Sequence, residues 1–278
     1  MYNFFENKYA DYVDLGVFPK ASVHVRKLIL DHLIETCRAK YDSSKRSYHD
    51  WQHIVECFDV LEDCELVLLR DDDICKSEIL IAALALLWHD YTYELGSYHS
   101  EKLSADNFRN YFVEHFDLTY ENEVLEKVYQ EIVKTKYDFS NLKLKTLTQC
   151  VDFMRMTEVS KSAAIKYTNQ VYHEFSQVVD RLEFLKGRLD WLNSMKGAEP
   201  FEHWYFKEYN ESFKQRVTIE IEATEELIEK ETIIKIDANF TKALQDKVSK
   251  GEVFILSGEH TFKVTKAYLS NGLLIIKD

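Results

Sequence analysis

The chain has 278 residues, 46% of them hydrophobic, enough for one large core or a core with a small appendage. Seven glycines and two prolines are too few for an all-β protein, whose turns recur every 8–12 positions, so the composition predicts long helices. A formal net charge of -13 argues against binding long nucleic acid, which needs clustered Lys and Arg; a small nucleotide bound through a metal is not excluded, because the ion brings its own positive charge.

Five cysteines, Cys37, Cys57, Cys64, Cys75 and Cys150, form no C-x-x-C and are odd in number. They read as reduced thiols in a cytosol. Met1 to Glu6 lacks the basic and apolar regions of a signal peptide, and no run reaches the roughly 18 apolar residues of a membrane span. The expectation is a soluble cytoplasmic protein.

After a Gly16-Val17-Phe18-Pro19 turn, Val25, Leu28, Ile29, Leu33 and Cys37 predict a helix over 21–41. A second helix, starting near His49 or Asp50, carries Ile54, Val55, Phe58 and Leu61. Acidic residues at 71–73 suit the N-terminus of a third, 74–89, which is apolar nearly all round and therefore central to a bundle. Further helices are predicted over 100–115, 120–136, 143–155, 160–178, 180–195 and 201–230. From 231 the chain turns β-branched. Strands are expected at 232–236, 252–256, 260–265, 267–269 and 273–276, with a hairpin turn at Ser270-Asn271-Gly272. The expected architecture is a mainly α bundle over 1–230 and a small β-rich C-terminal appendage over 231–278, whose exposed edge can pair with a second copy.

Chemistry is carried by three segments. His49 and His53 stand at i and i+4, which on one helix would present two imidazoles to one site; packing or surface histidines would look the same. His89-Asp90 closes the apolar helix. It marks either a helix end at solvent or a ligand pair, since burying both unpaired costs several kcal/mol. Asp152 is a lone carboxylate in an apolar helical face, for which, taken alone, the solvent side of an amphipathic helix is the better reading. Mixed imidazole and carboxylate ligands suit Zn, Mn or Fe, with Mg where carboxylate and water dominate. His99, His115 and His173 read as surface residues. A patch of Arg181, Lys186 and Arg188 reads as a solvated helix face before a phosphate-binding one.

The order His53, His89-Asp90, Asp152 resembles the H…HD…D pattern of the HD-domain metal-dependent phosphohydrolase superfamily. Arg46-Ser47-Tyr48-His49-Asp50-Trp51-Gln52-His53-Ile54 is similar to the R-x-Y-H-N-x-x-H-I segment of a group of predicted bacterial HD phosphohydrolases. Trp88 to Tyr93 resembles its F-H-D-x-x-Y, and Ser100 to Ala105 its N-E-x-x-S-A. Gly187-Arg188 and the helix ending near Glu220 also look like that group, so the resemblance runs over roughly 20–225. It implies a helical HD bundle and one divalent metal (Mn, Mg, Fe or Zn) held by His53, His89, Asp90 and Asp152. Cyclic-nucleotide phosphodiesterases share the Tyr48-His49 wording. By that analogy His49 is the general acid for a metal-activated water; Glu101, at the group's acidic position, would orient that water or support a ligand histidine, and Lys45 and Arg46 are candidates to hold phosphate oxygens. The implied activity is hydrolysis of a nucleotide or other small phosphoester, whether mono-, tri- or cyclic phosphate. The alternative is a non-catalytic nucleotide-binding protein using the β appendage as a partner interface. Two departures, Asp138 where the group carries His and Cys150 where it carries Asp, argue for one metal rather than two; a di-iron oxygenase site would need two further histidines between the doublet and Asp152, where His99 and His115 stand in no matching motif.

Overall fold

A computed structural model describes residues 1–69, 76–95, 97–249, 254–257, 260–263, 266–270 and 273–277. It is mainly helical. In chain order the helices are α1 (Tyr2–Asn7), α2 (Tyr9–Asp14), α3 (Val23–Tyr41), α4 (Trp51–Leu68), α5 (Lys76–Trp88) and α6 (Ser100–Phe116), followed by α7 (Glu123–Lys134), α8 (Leu147–Phe153), α9 (Lys161–Phe175), α10 (Arg181–Ser194) and α11 (Tyr209–Ser249). Among the described residues, no helix is long and apolar enough to cross a membrane.

The bundle is built around α5. Every residue from Ile79 to Trp88 is buried, and α4, α6, α7 and α8 pack on its sides. Each leucine so buried contributes about 1.5–3 kcal/mol, which is why this helix has no polar face to spend. A helix that ends inside a core must find partners for its last carbonyls. Here the His89 ring bonds the Leu86 carbonyl at 2.8 Å, the Tyr41 hydroxyl donates to Leu87 at 3.1 Å, and the Tyr91 amide donates to Trp88 at 3.0 Å. The Trp88 ring stacks on Tyr91 with centroids 4.5 Å apart. The central helix therefore delivers His89 and Asp90 into the interior.

Two differences from the sequence expectation stand out. The first 14 residues form two short helices whose Phe4, Phe5, Tyr9 and Tyr12 are buried; Phe4 and Phe5 each meet Phe58 at 5.5 Å. The second concerns 231–249, expected to open the β-rich region with a strand at 232–236. That segment is helix, the continuation of α11. β-branched residues cost a helix only a few tenths of a kcal/mol each, and extending an existing helix avoids the nucleation cost. Arg181 on α10 pairs with Glu231 at 2.8 Å, at the point where the break was expected.

Beyond α11 the chain pairs as two antiparallel hairpins, Phe254–Ser257 with His260–Lys263 and Lys266–Ser270 with Leu273–Lys277. Their side chains, and therefore the expected appendage as a packed unit, lie outside the described residues. Cys37, Cys57, Cys64 and Cys150 are free and buried; Cys75 lies outside the described residues.

Candidate metal centre

His53, His89 and Asp152 come from α4, the end of α5 and α8, and their ligand atoms all lie within 4.8 Å of one another. This group can hold a metal ion. His53 Nε2 is 3.2 Å from His89 Nε2 and 3.1 Å from Asp152 Oδ1, and His89 Nε2 is 3.3 Å from that oxygen. Metal–donor bonds of about 2.1 Å set neighbouring donors about 3.0–3.4 Å apart, so the spacing is that of ligands around one ion. Asp90 Oδ2 stands 3.0 Å from His89 Nε2 and 3.9 Å from His53 Nε2, adding a second carboxylate on the same side.

The chemistry of the donors agrees with their spacing. The bond from His89 Nδ1 to the Leu86 carbonyl requires a proton on Nδ1, so Nε2 is the ring nitrogen that faces the cluster. Asp152 presents Oδ1 to the histidines while Oδ2 accepts the Tyr137 hydroxyl, so its orientation is set from outside. Burial opposes ionisation of Asp90 and Asp152, yet the neighbouring imidazoles hold both carboxyls well below their usual range. Burial likewise opposes a charge on His89, but Asp90 and Asp152 raise its pKa well above the ordinary histidine value. Two carboxylates with a deficit of positive charge are what a divalent cation would correct.

His49 is not on the helix. Asp50 caps α4 by accepting the His53 amide at 3.1 Å, so His49 belongs to the preceding turn and the shared-face argument for His49 and His53 does not apply. The capping turn brings them together instead, with ring centroids 6.3 Å apart and Tyr48 packed on both. Glu174, on α9 and 2% exposed, holds this turn. Its Oε1 accepts the amides of Ser47, Tyr48 and His49 at 2.8–2.9 Å, and its Oε2 meets His49 Nδ1 at 2.8 Å. Burial opposes ionisation of Glu174, but these donors, His49 foremost, bring its pKa down to about 2. For His49, burial opposes the charge while Asp90 and Glu174 favour it; the net shift is upward. Its ring stacks on Tyr93, 4.1 Å between centroids.

Glu174 was absent from the sequence reading, although a signal existed. It lies seven residues after Tyr167 and three after Val171, on the apolar face of α9, where a carboxylate needs a reason.

His49, His89, Asp90, Glu101 and Asp152 line one cavity of about 450 Å³, within the usual range for small-molecule sites. Glu101 sits in the first turn of α6 with a buried Oε2 that has no hydrogen-bond partner. The expected phosphate ligands are elsewhere. Lys45 is exposed, and with Arg46 it lines an adjoining cavity of about 510 Å³ across Tyr93 and Glu94. Arg46 donates to the carbonyls of His49 at 3.1 Å, Asp90 at 2.7 Å and Tyr91 at 3.0 Å. It ties the two histidine segments together, so its guanidinium is committed to backbone rather than to phosphate.

Asp138 points away from the cluster, accepting the Ser140 amide at 3.0 Å in a 3-10 turn, while Tyr137 beside it reaches Asp152. His99, His115 and His173 are exposed. Arg181 bonds Asn169, and Arg188 is turned inward onto Glu220 at 2.6 Å, so these arginines form neither a solvated face nor a phosphate patch. No family model, curated protein or solved structure matches the chain.

Proposed function

We propose that the protein is a metal-dependent phosphohydrolase of HD type, acting on a nucleotide or another small phosphoester. The observation that carries this reading is the meeting, in one cavity, of a metal-type donor cluster with a histidine braced by a buried glutamate. His53, His89, Asp90 and Asp152 would hold one divalent ion. Bound there, the ion would supply positive charge to phosphoryl oxygens and lower the pKa of water.

The protein's own groups do the proton work. Glu174 fixes the His49 ring through Nδ1, and the raised pKa favours the protonated imidazole. His49 then gives a proton to the departing oxygen as the ester P–O bond breaks. The incoming water forms the new P–O bond, and its proton passes to a carboxylate; Glu101, with its unpartnered Oε2, is our candidate acceptor. Four buried free thiols support a cytosolic setting, and the hairpins after α11 are read as a small β appendage.

The test is metal analysis of purified protein, then a Mn-, Mg- and Zn-supplemented screen of nucleoside mono-, tri- and cyclic phosphates. His49→Ala is expected to keep the metal and lose roughly 10²–10⁴ in rate. Asp90→Ala is expected to lose both. A wild type that binds no metal, together with an Asp90→Ala variant that behaves identically, would end the enzyme reading. Metal without turnover of any phosphoester would favour the binding protein instead.

A further inference from the structure

The walls of the cavity are aromatic. Tyr98, 78% exposed, and Phe139, 38% exposed, stand at its mouth. Phe139 meets Trp191 edge to face, with centroids 5.3 Å apart and planes at 76°. The Trp191 ring carries the Arg188 guanidinium 4.0 Å from its centroid, and Arg188 is in turn held by the fully buried Glu220. The indole is therefore fixed before any ligand arrives, which spares a ligand the cost of ordering it.

The same cavity is poor in cations. Among the described lining residues Lys136 is the one Lys or Arg, and its ammonium already donates to the Tyr98 carbonyl at 2.6 Å. Four carboxylates face it: Asp90, Glu94, Glu101 and Asp152. A divalent ion offsets two of these charges. Against the remaining carboxylates stand only Lys136 and His49 among the described lining residues, far from the clustered Lys and Arg on which triphosphate binding elsewhere depends. Lys45 and Arg46, the cations nearest in sequence to His49, open onto the adjoining cavity.

We infer that the substrate has a single phosphoryl group and one flat aromatic moiety, a nucleobase or an aryl ring, stacked at the Phe139–Trp191 corner, and that triphosphates and polyphosphates are refused. This rests on the phosphohydrolase reading for turnover, but binding tests it separately. The experiment compares kcat/KM of the Mn-loaded protein for AMP, 3′,5′-cyclic AMP, ATP and glycerol phosphate, alongside calorimetric binding of the same four compounds. One of the two single-phosphoryl adenosine esters should exceed glycerol phosphate by roughly 5- to 150-fold, the range of one base–aromatic stack, and should also exceed ATP, which carries the same base on three phosphoryl groups. Trp191→Leu should bring the ratio of that ester to glycerol phosphate towards one. Phe139→Ala, at a half-exposed position, gives the same readout if the tryptophan variant does not fold. Equal use of ATP or of glycerol phosphate overturns the inference. If nothing is hydrolysed, the phosphohydrolase reading falls while binding still decides: preference for an adenosine monophosphate ester upholds the aromatic, low-charge site, and equal or absent binding overturns it.

Discussion

Glu220 and Asp152 are both carboxylates inside the bundle, and their surroundings meet the cost of burial in different ways. Glu220 accepts from Thr168, Arg188 and Arg216, at 2.6–3.1 Å, and both arginines lie against the Tyr167 ring. Both Glu220 oxygens are taken by cations of the chain, with two arginines on one carboxylate and Arg216 Nη2 left without a hydrogen-bond partner. Asp152 and Asp90 face two imidazoles whose Nε2 atoms lie 3.2 Å apart, so that at most one of them can donate to the other. Nearby Glu101 Oε2 has no donor. A buried carboxylate matched by the chain's own cations is architecture; two buried carboxylates short of positive charge form an unbalanced cluster, a site for something the chain does not supply.

The largest effect is expected at the unbalanced cluster, where Asp152→Ala should reduce bound metal from about one equivalent to near zero, read by elemental analysis, with loss of turnover. Next is Glu220→Gln, which leaves Arg188 and Arg216 without their counter-charge and should cost about 3–5 kcal/mol in chemical denaturation. Tyr137→Phe removes the hydroxyl that steers Asp152 and should weaken metal affinity about 10–100-fold in a competition titration. In metal-free protein Asp152→Asn removes a carboxylate that the two imidazoles hold ionised and should lower stability in chemical denaturation, by less than Glu220→Gln does. A destabilisation comparable to that of Glu220→Gln would show the two clusters to be alike.

A further effect is on acid stability. Glu174 has a folded-state pKa of about 2, below the ordinary value of about 4.5, so its contribution is complete above that ordinary value and disappears as pH falls towards 2. Denaturation curves for wild type and Glu174→Gln should therefore converge across that window. Curves that stay parallel would remove Glu174 from the role of charged brace.

Much of the frame was legible in the residues. Nearly unbroken apolarity from Ile79 to Trp88 required a central helix, and a His-Asp pair at its end pointed to a site. What remained hidden depended on partners far along the chain. Glu174 is 125 residues from His49, and nothing local to either announces the other. Arg46 looked like a phosphate ligand because its charge is visible in sequence, whereas the three carbonyls that occupy it are not. Arg188 and Glu220, two late positions of the resemblance, turn out to bond each other.

By itself, the sequence determined the helical class, the identity of the buried helix and the residue types available for ligation. These follow from periodicity and composition, which are properties of neighbours in the chain. Only the tertiary structure decided that His53, His89 and Asp152 converge, that His49 precedes its helix rather than sharing a face with His53, and that α11 continues through 231–249. Convergence depends on how α4, α5 and α8 pack, and a helix end depends on whether a cap and an ion pair outweigh a few tenths of a kcal/mol of local propensity.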